Sequence, residues 1–286
     1  MVNDVKIIEC PRDAMQGLHN FIPTETKISY INSLLKCGFD TIDFGSFVSP
    51  KAIPQLRDTA EVLNKLELVN STKLLAIIAN ERGAIDACNF EEIRYLGFPF
   101  SVSESFQQRN TNSSISESLN RVEAIQKLAV ANNKELVLYL SMGFGNPYGD
   151  EWNADIVIKW CELLYSKLDI KIQALSDTIG IANPQTIEYL FKALIPSLPN
   201  VEFGAHLHTI PENAKVLIES AYNSGCRRFD GAIKGFGGCP MASDELTGNM
   251  PSEIMLDWFN QNNIKSGIDE IYFNIAMSEA LKVFPI

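Results

Sequence analysis

The chain has 286 residues, a net charge of −11 and 46% hydrophobic residues, enough for one large core; an α/β barrel commonly takes about 250 residues. Because the chain is acidic and has no basic run, we do not expect it to bind nucleic acid or anionic membrane surfaces. No apolar run reaches the roughly 18 residues that cross a bilayer, and the first residues lack a secretory signal pattern. Six scattered cysteines indicate reduced thiols, so we expect a cytoplasmic protein.

Apolar runs alternate with helix-length segments in chain order. The predicted strands are 5–10, 41–44, 73–78, 95–102, 135–141, 172–176, 202–208 and 228–232. Helices are predicted over 24–37, from 54 towards 65, over 81–88, 114–133 and 154–167, and from 184 and 211, with further helices after a glycine-rich loop. Ser114 and Glu117 fit a capping box at the start of the long helix.

Eight strand–helix units in series predict one α/β domain over residues 1–286, a (β/α)8 TIM barrel with additional C-terminal helices. The alternative is a doubly wound open sheet. No Gly-x-Gly-x-x-Gly follows the first strand, which argues against a dinucleotide-binding version of that sheet.

Two of the three histidines of the chain lie in His206-Leu207-His208, at the end of the seventh predicted strand. Residues i and i+2 of a strand point to the same face, so both imidazoles are predicted to converge on one point, as a divalent metal requires. Two packed core histidines would give the same pattern. The metal interpretation therefore depends on ligand-type residues at other strand ends.

Such residues are present at the carboxyl ends of several predicted strands, where a TIM barrel carries its active site. They are Arg12, Asp13 and Gln16 after the first strand, Asp43 and Ser46 at the second, Asp177 at the sixth, and Cys239 and Asn249 in the loop after the eighth. Carboxylates, imidazoles and an amide collected at one rim favour a metal site over an accidental histidine pair.

Arg12 and Cys239 are the candidate catalytic side chains at this rim. An arginine at a barrel mouth can hold a carboxylate or a developing enolate by paired hydrogen bonds. Asp43 is either a site residue or a barrel-interior partner of Arg12, and Asp177 either faces substrate or orients a ligand histidine. Cys239 lies in a loop rich in glycine, which is predicted to be mobile or closely apposed to substrate. This favours a reactive thiol over a packing residue, although the glycines of a simple tight turn would give the same pattern.

These segments together resemble the 3-hydroxy-3-methylglutaryl-CoA lyases, within a barrel superfamily of metal-dependent lyases and acyl-transferring synthases. The resemblance spans nearly the whole chain. The segments that carry it are Pro11-Arg12-Asp13, Ser46-Phe47-Val48-Ser49-Pro50-Lys51, Ser176-Asp177-Thr178-Ile179-Gly180, His206 with His208, and Gly237-Gly238-Cys239-Pro240 with Gly248-Asn249.

The resemblance implies a Mg2+ or Mn2+ ion bound by Asp13, His206, His208 and Asn249, and mixed oxygen and nitrogen ligands suit these ions. It implies catalysis by Arg12 and Cys239, with His206 or Asp13 sharing proton transfer. The implied partner is an acyl-CoA thioester, bound with the help of Gln16, Asp43, Ser46 and Asp177. A homodimer and a place in leucine degradation or ketone body formation are further expectations.

The chain departs from the family at several positions near these residues. Cys10 replaces a glycine, Ala14-Met15-Gln16-Gly17 replaces Gly-Leu-Gln-Asn, Asp43 replaces a glutamate, Thr209 replaces an aspartate, and the cysteine-to-asparagine loop is about one residue longer. No predicted metal ligand is lost. Three alternatives stay open: a synthase that condenses acetyl-CoA with a 2-oxo acid, a metal aldolase that needs no CoA, and a barrel that binds without catalysis.

Overall fold

A computed structural model describes residues 4–68, 71–238 and 247–284. Eight parallel strands pair in chain order, and β1 pairs with β8 to close the barrel. The strands are β1 Lys6–Glu9, β2 Thr41–Ser46, β3 Lys73–Ile77, β4 Ile93–Ser101, β5 Glu135–Ser141, β6 Ile172–Asp177, β7 Glu202–Leu207 and β8 Arg228–Gly231. The predicted (β/α)8 barrel is therefore confirmed, and the open sheet is wrong.

Helices separate the strands and cover the outside of the barrel. They are α1 Pro11–Gln16, α2 Thr24–Leu35, α3 Thr59–Leu63, α4 Glu81–Cys88, α5 Glu104–Thr111, α6 Ile115–Ala131, α7 Ala154–Leu168, α8 Pro184–Ser197, α9 Pro211–Asn223, α10 Ser252–Gln261 and α11 Glu270–Val283. The capping box of Ser114 and Glu117 is present at the start of α6. After α10, α11 is an additional C-terminal helix packed against α2. Within the described ranges, no helix is long and apolar enough to cross a membrane.

The core lies in two layers because alternate residues of each strand face opposite sides of the sheet. The larger layer packs the outer strand faces against the helices. A smaller one, built around Leu75, Tyr95, Val137, Tyr139 and Ala174, fills the barrel. The barrel is therefore a packed core, and its open end at the carboxyl ends of the strands is free to carry a site.

Two short helices were not predicted. The segment after β1 was assigned to a strand end, but Pro11 begins the helix α1, because the fixed φ of proline suits the first position of a helix. Likewise α5 follows β4, and its cap is the Ser103 side chain, which accepts a hydrogen bond from the Phe106 backbone. The helix predicted from Pro54 is interrupted: a 3-10 turn over Pro54–Leu56 precedes α3.

Candidate metal centre and active-site cavity

The short helix α1 places Arg12 and Asp13 at the barrel mouth, and both are buried. Arg12 Nε donates to Asp43 Oδ2 at 2.9 Å and to Oδ1 at 3.2 Å, and Nη1 donates to Asp13 Oδ1 at 2.8 Å. Nη1 also donates to Gln16 Oε1 at 3.0 Å. Two carboxylates hold the guanidinium in a fixed orientation, and they raise its pKa although burial opposes this, so Arg12 stays charged.

Asp13 has one engaged carboxylate oxygen and one free one. Oδ1 accepts hydrogen bonds from Arg12 and, at 2.6 Å, from Gln16 Nε2. Oδ2 is buried without a hydrogen-bond partner among the described residues and lies 3.8 Å from His208 Nε2. Ligand atoms of Asp13, His206 and His208 lie within 4.8 Å of one another, so the structure brings together three of the predicted metal ligands.

Asn249, the fourth predicted ligand, is held beside His208 by pairing of the loop before α10 with the end of β7, and its Nδ2 donates to Phe236 O at 2.9 Å. His208 lies just beyond β7 and forms an antiparallel bridge with Asn249. The Met250 backbone N–H donates to Leu207 O at 3.0 Å, and that of Thr209 to Gly248 O at 2.9 Å. β7 ends at Leu207, one residue before its predicted end, and the bridge to Asn249 continues the pairing to His208, which keeps both histidines beside Asp13.

Asp230, on β8, is a site residue that the sequence analysis missed. Its Oδ2 lies 3.1 Å from His206 Nδ1, across the β7–β8 pair in which the two residues are opposite each other. This carboxylate takes the histidine-orienting position that was considered for Asp177. The sequence signal that could have identified Asp230 is an acidic residue two positions after Arg228, on the inward face of the eighth strand.

The electrostatics of the site keep the Asp13 carboxylate charged and shift the pKa values of the two imidazoles in opposite directions. For Asp13, burial favours a higher pKa, but the Arg12 charge and the imidazoles outweigh it, and the pKa lies below its usual value. Burial, reinforced by His206, lowers the pKa of His208 to about 4. Burial opposes protonation of His206 too, yet the Asp230 hydrogen bond and charge raise its pKa. A neutral His208 is suited to bind a metal.

The donor set fits a divalent cation. Asp13 Oδ2 and both nitrogens of His208 are buried and lack hydrogen-bond partners within residues 4–68, 71–238 and 247–284. Unsatisfied buried polar atoms cost roughly 1–3 kcal/mol each, and a bound cation would satisfy the carboxylate and one nitrogen. A carboxylate, two imidazoles and a nearby amide are ligands that Mg2+ or Mn2+ accepts.

A cavity opens beside this cluster at the carboxyl ends of the strands. Its polar side carries Arg12, Asp13, Gln16 and the two histidines, and its other walls are largely apolar. The remaining lining residues are Val48, Ile53, Ile77, Ala79, Pro99, Phe106, Asn110, Thr111, Tyr139, Ser141, Ser176 and Thr178. An apolar pocket with a few converging polar groups is the usual form of a small-molecule site.

Three residues predicted to bind substrate lie outside this lining. Asp43 is fully buried and ion-paired with Arg12, as one of its two interpretations held. The Ser46 hydroxyl donates to Ile77 O and accepts from the Val48 N–H. Asp177 accepts backbone N–H groups of residues 179–182, including Ala182 N–H at 2.7 Å. These contacts show how the three residues shape the mouth; substrate contact stays a prediction, and only Gln16 of the four lines the cavity.

Cys239 lies outside the described residues, but the chain just before it contacts the site. Gly237 has a φ of +95°, and a Cβ there would lie 2.7 Å from Ala14 Cα and 2.7 Å from Asn249 Nδ2. Only glycine permits this approach, which brings the chain two residues before Cys239 beside Asp13. Of the other cysteines, Cys10, Cys37, Cys161 and Cys226 are buried and free, and Cys88 is half-buried.

A closed parallel barrel with a carboxylate–imidazole cluster at the carboxyl ends of its strands defines a TIM-barrel protein with a candidate divalent-metal site. The chain belongs to the HMGL-like family, whose model matches residues 4–275.

Individual relatives agree with this family. The chain is 34% identical to hydroxymethylglutaryl-CoA lyase YngG of Bacillus subtilis over 90% of this chain and 85% of that protein. It is 32% identical to the mitochondrial hydroxymethylglutaryl-CoA lyase of Bos taurus over 93% of this chain and 81% of that protein. The crystal structure of the Bacillus subtilis HMG-CoA lyase superposes with a TM-score of 0.91 at 32% identity, over 98% of this chain and 94% of that one. An HMG-CoA lyase from Acinetobacter baumannii, solved with coenzyme A and 3-methylmalate, gives 0.89 at 28% identity, over 98% and 90%.

Proposed function

We propose that this chain is a divalent-metal-dependent carbon–carbon lyase that cleaves 3-hydroxy-3-methylglutaryl-CoA into acetyl-CoA and acetoacetate. The observation that carries the proposal is the position of Arg12 beside the Asp13–His206–His208 cluster in one cavity. The relatives named as lyases of this substrate support it. So does the relative solved with coenzyme A, since an acyl-CoA thioester is the proposed partner.

The cation, Mg2+ or Mn2+, would be held by Asp13, His206, His208 and Asn249. When bound, it supplies Lewis acidity that lowers the pKa of an adjacent substrate hydroxyl. The residues around it hold the ligands in place: Gln16 and Arg12 engage Asp13 Oδ1 and leave Oδ2 free, and Asp230 orients His206. Asp230 raises the pKa of His206, and burial lowers the pKa of His208, so His208 is the imidazole that is held neutral for ligation.

Arg12 would stabilise the negative charge that develops during cleavage. Loss of the proton from the C3 hydroxyl converts that carbon into the ketone of acetoacetate, and the electrons of the broken bond form the enolate of acetyl-CoA. A guanidinium held in a fixed orientation by Asp43 and Asp13 at the cavity wall is placed to stabilise the thioester oxygen of that enolate. Its fixed orientation is the feature that a lysine at this position would lack.

Cys239 is proposed to protonate the enolate carbon, with His206 or Asp13 sharing the transfer. The contact of Gly237 with the α1 backbone supports this role, because it starts the cysteine segment beside the reacting groups. Gln16, Asp43, Ser46 and Asp177 are proposed to help bind the substrate, Gln16 directly and the other three chiefly through the shape of the mouth.

Residues 1–286 are proposed to form one catalytic domain, active as a cytoplasmic homodimer. The free cysteines among the described residues fit a reducing compartment. The products are those of leucine degradation and ketone body formation, and that cellular role stays a prediction. Analytical ultracentrifugation of the purified chain would test the dimer.

The decisive experiment incubates Mn2+-loaded protein with 3-hydroxy-3-methylglutaryl-CoA and measures acetoacetate and acetyl-CoA in equal amounts. Equal formation of both products supports the lyase. Release of free thiol from acetyl-CoA with a 2-oxo acid would instead indicate the condensing synthase. Cleavage of hydroxy-oxo acids without CoA would indicate the aldolase. Failure of the purified chain to bind Mn2+, together with no turnover of any of these substrates when Mn2+ is supplied, would indicate a barrel that binds without catalysis.

A further inference from the structure

A second group of metal-ligating side chains lies next to the predicted ligand set. Cys10, His206 and Asp230 each offer a ligand atom, and these atoms lie within 4.8 Å of one another. The proposed mechanism uses His206 and Asp230 as a hydrogen-bonded pair and gives Cys10 no role. Neither Cys10 nor Asp230 is among the residues that line the cavity, whereas His206 is.

The geometry of this group is close to that of a tetrahedral cation site. Donor atoms around one Zn2+ ion lie roughly 3.5 Å apart, given bond lengths of about 2.0–2.3 Å. His206 Nδ1 and Asp230 Oδ2 already lie 3.1 Å apart. The Cys10 thiol lies 3.8 Å from Ile8 O, and the ligand atoms of all three residues lie within 4.8 Å of one another, which is near the spacing that one ion requires.

An unsatisfied buried atom points to a ligand at the same place. Asp230 is 2% exposed, and its Oδ1 has no hydrogen-bond partner in the part of the chain that the structure describes. This oxygen belongs to the carboxylate that borders both the imidazole and the thiol. A buried carboxylate oxygen without a donor is costly, and a cation held between Asp230, His206 and Cys10 would remove that cost.

The chemistry of the donors sets the class of ion. Asp13, the two histidines and Asn249 offer oxygen and nitrogen, which suit hard cations, whereas Cys10 adds a sulfur that Mg2+ does not accept. Thiolate, imidazole and carboxylate together are ligands of Zn2+ and of its spectroscopic substitute Co2+.

We propose that Cys10, His206 and Asp230 form a second cation site, selective for thiophilic divalent ions such as Zn2+ and distinct from the Asp13–His206–His208 set. Occupancy replaces the hydrogen bond between Asp230 and His206 with coordination to the ion. If the lyase function proposed above holds, Zn2+ therefore lowers turnover by reorienting His206. The binding itself does not depend on that function.

The test uses Co2+ and Zn2+ on the purified full chain, with Cys10→Ala and Cys10→Ser as variants. Thiolate coordination gives Co2+ a sulfur-to-metal charge-transfer band, which oxygen and nitrogen ligands do not produce. We expect the band in the native chain, in Cys37→Ala and in Cys239→Ala, and its loss in both Cys10 variants. Zn2+ affinity, measured by competition with a chromogenic chelator, should fall at least about tenfold in the Cys10 variants, since loss of even an indirect partner costs 10–100-fold.

Mn2+ binding serves as the internal control. Free Mn2+ measured by electron paramagnetic resonance should give an affinity within about threefold of native in Cys10→Ala, since that thiol is not a ligand of the hard-cation set. The proposal is overturned if the charge-transfer band persists in Cys10→Ala, if the band is lost only in Cys239→Ala, or if Zn2+ affinity is unchanged in both Cys10 variants. These readouts stay informative even if no acetoacetate is formed, so the second site and the lyase function can fail separately.

Discussion

Arg12 Nε lies 2.9 Å from Asp43 Oδ2, and this pair joins the helix after the first strand to the interior of the second strand. Both side chains are almost fully buried. A buried ion pair contributes little net stability, because desolvation offsets the attraction. Its value here is orientation, since Nη2 also donates to Asp43 and Nη1 donates to Asp13 and Gln16, which fixes the guanidinium at the wall of the cavity.

Replacing Arg12 by lysine should therefore separate charge from geometry. Arg12→Lys keeps the positive charge and loses the planar fork that fits Asp43, so we expect kcat to fall by at least about 10²-fold. Mn2+ affinity should change much less than kcat, because the lysine keeps a positive charge beside Asp13 and Gln16 Nε2 still donates to Asp13 Oδ1. Steady-state kinetics and Mn2+ titration measure the two effects, with the exposed Arg227→Lys as control. Native kcat in Arg12→Lys would exclude a role for the guanidinium in stabilising the enolate.

Removal of the predicted metal ligand Asp13 should abolish cation binding. Asp13→Asn takes away the only carboxylate of the Asp13–His206–His208 cluster, so Mn2+ affinity should fall by at least about 100-fold and acetoacetate formation with it. The exposed Asp86→Asn on α4 is the matched control. Native protein dialysed against a chelator should lose activity and regain it with Mn2+ or Mg2+. Full activity after chelation would show that no metal is needed.

Asp230 should affect Mn2+ binding through its contact with His206, although it is not itself a ligand of the Asp13–His206–His208 set. Asp230→Asn removes the negative charge that holds the His206 ring, and loss of such a partner typically costs 10–100-fold in metal affinity or activity. We expect an effect of that size on Mn2+ affinity, whereas Asp257→Asn, on the exposed side of α10, should bind Mn2+ like the native chain. Equal affinities in the two variants would show that Asp230 does not orient the ligand.

The role proposed for Cys239 can be tested against a cysteine remote from the cavity. If this thiol protonates the enolate, Cys239→Ala should reduce kcat by at least about 10²-fold and change KM little. Cys88→Ala, a half-buried thiol at the end of α4, should retain native kcat. Solvent-deuterium incorporation into acetyl-CoA would report the protonation step directly. A Cys239→Ala variant with near-native turnover would remove the thiol from the chemistry.

The raised pKa of Glu9 predicts how the free energy of unfolding depends on pH. It is fully buried, and burial raises its pKa to about 8, although Ser252 Oγ and the Ile233 N–H both donate to its carboxylate. The folded protein thus retains a proton that the unfolded chain loses near 4.5. The stability from this proton is complete below that value and is lost as pH rises towards 8. Chemical denaturation should show the free energy of unfolding falling across this window, less steeply in Glu9→Gln than in the exposed Glu219→Gln. An identical slope in both variants would contradict the assignment.

The barrel could be predicted because its signal is local and repeated. The strands β3 and β5, the helix α4 and the capping box at Ser114 were placed nearly to the residue, since periodicity and caps act within a few residues. The short helix at Pro11 was missed because a six-residue helix has too few turns to show a period. The His206/His208 convergence was predicted from strand alternation, and the cluster with Asp13 agrees with it.

The amino-acid sequence by itself determined the alternation of strands and helices, the pairing of the two histidines on one face, and the residue types at the strand ends. Only the tertiary structure decided which acids meet which bases: Asp230 rather than Asp177 contacts His206, Asp43 pairs with Arg12, and Asp177 binds the backbone of its own loop. The physical reason is closure of the barrel. Register across β7, β8 and β1 brings Cys10, His206 and Asp230 together, although they lie far apart along the chain.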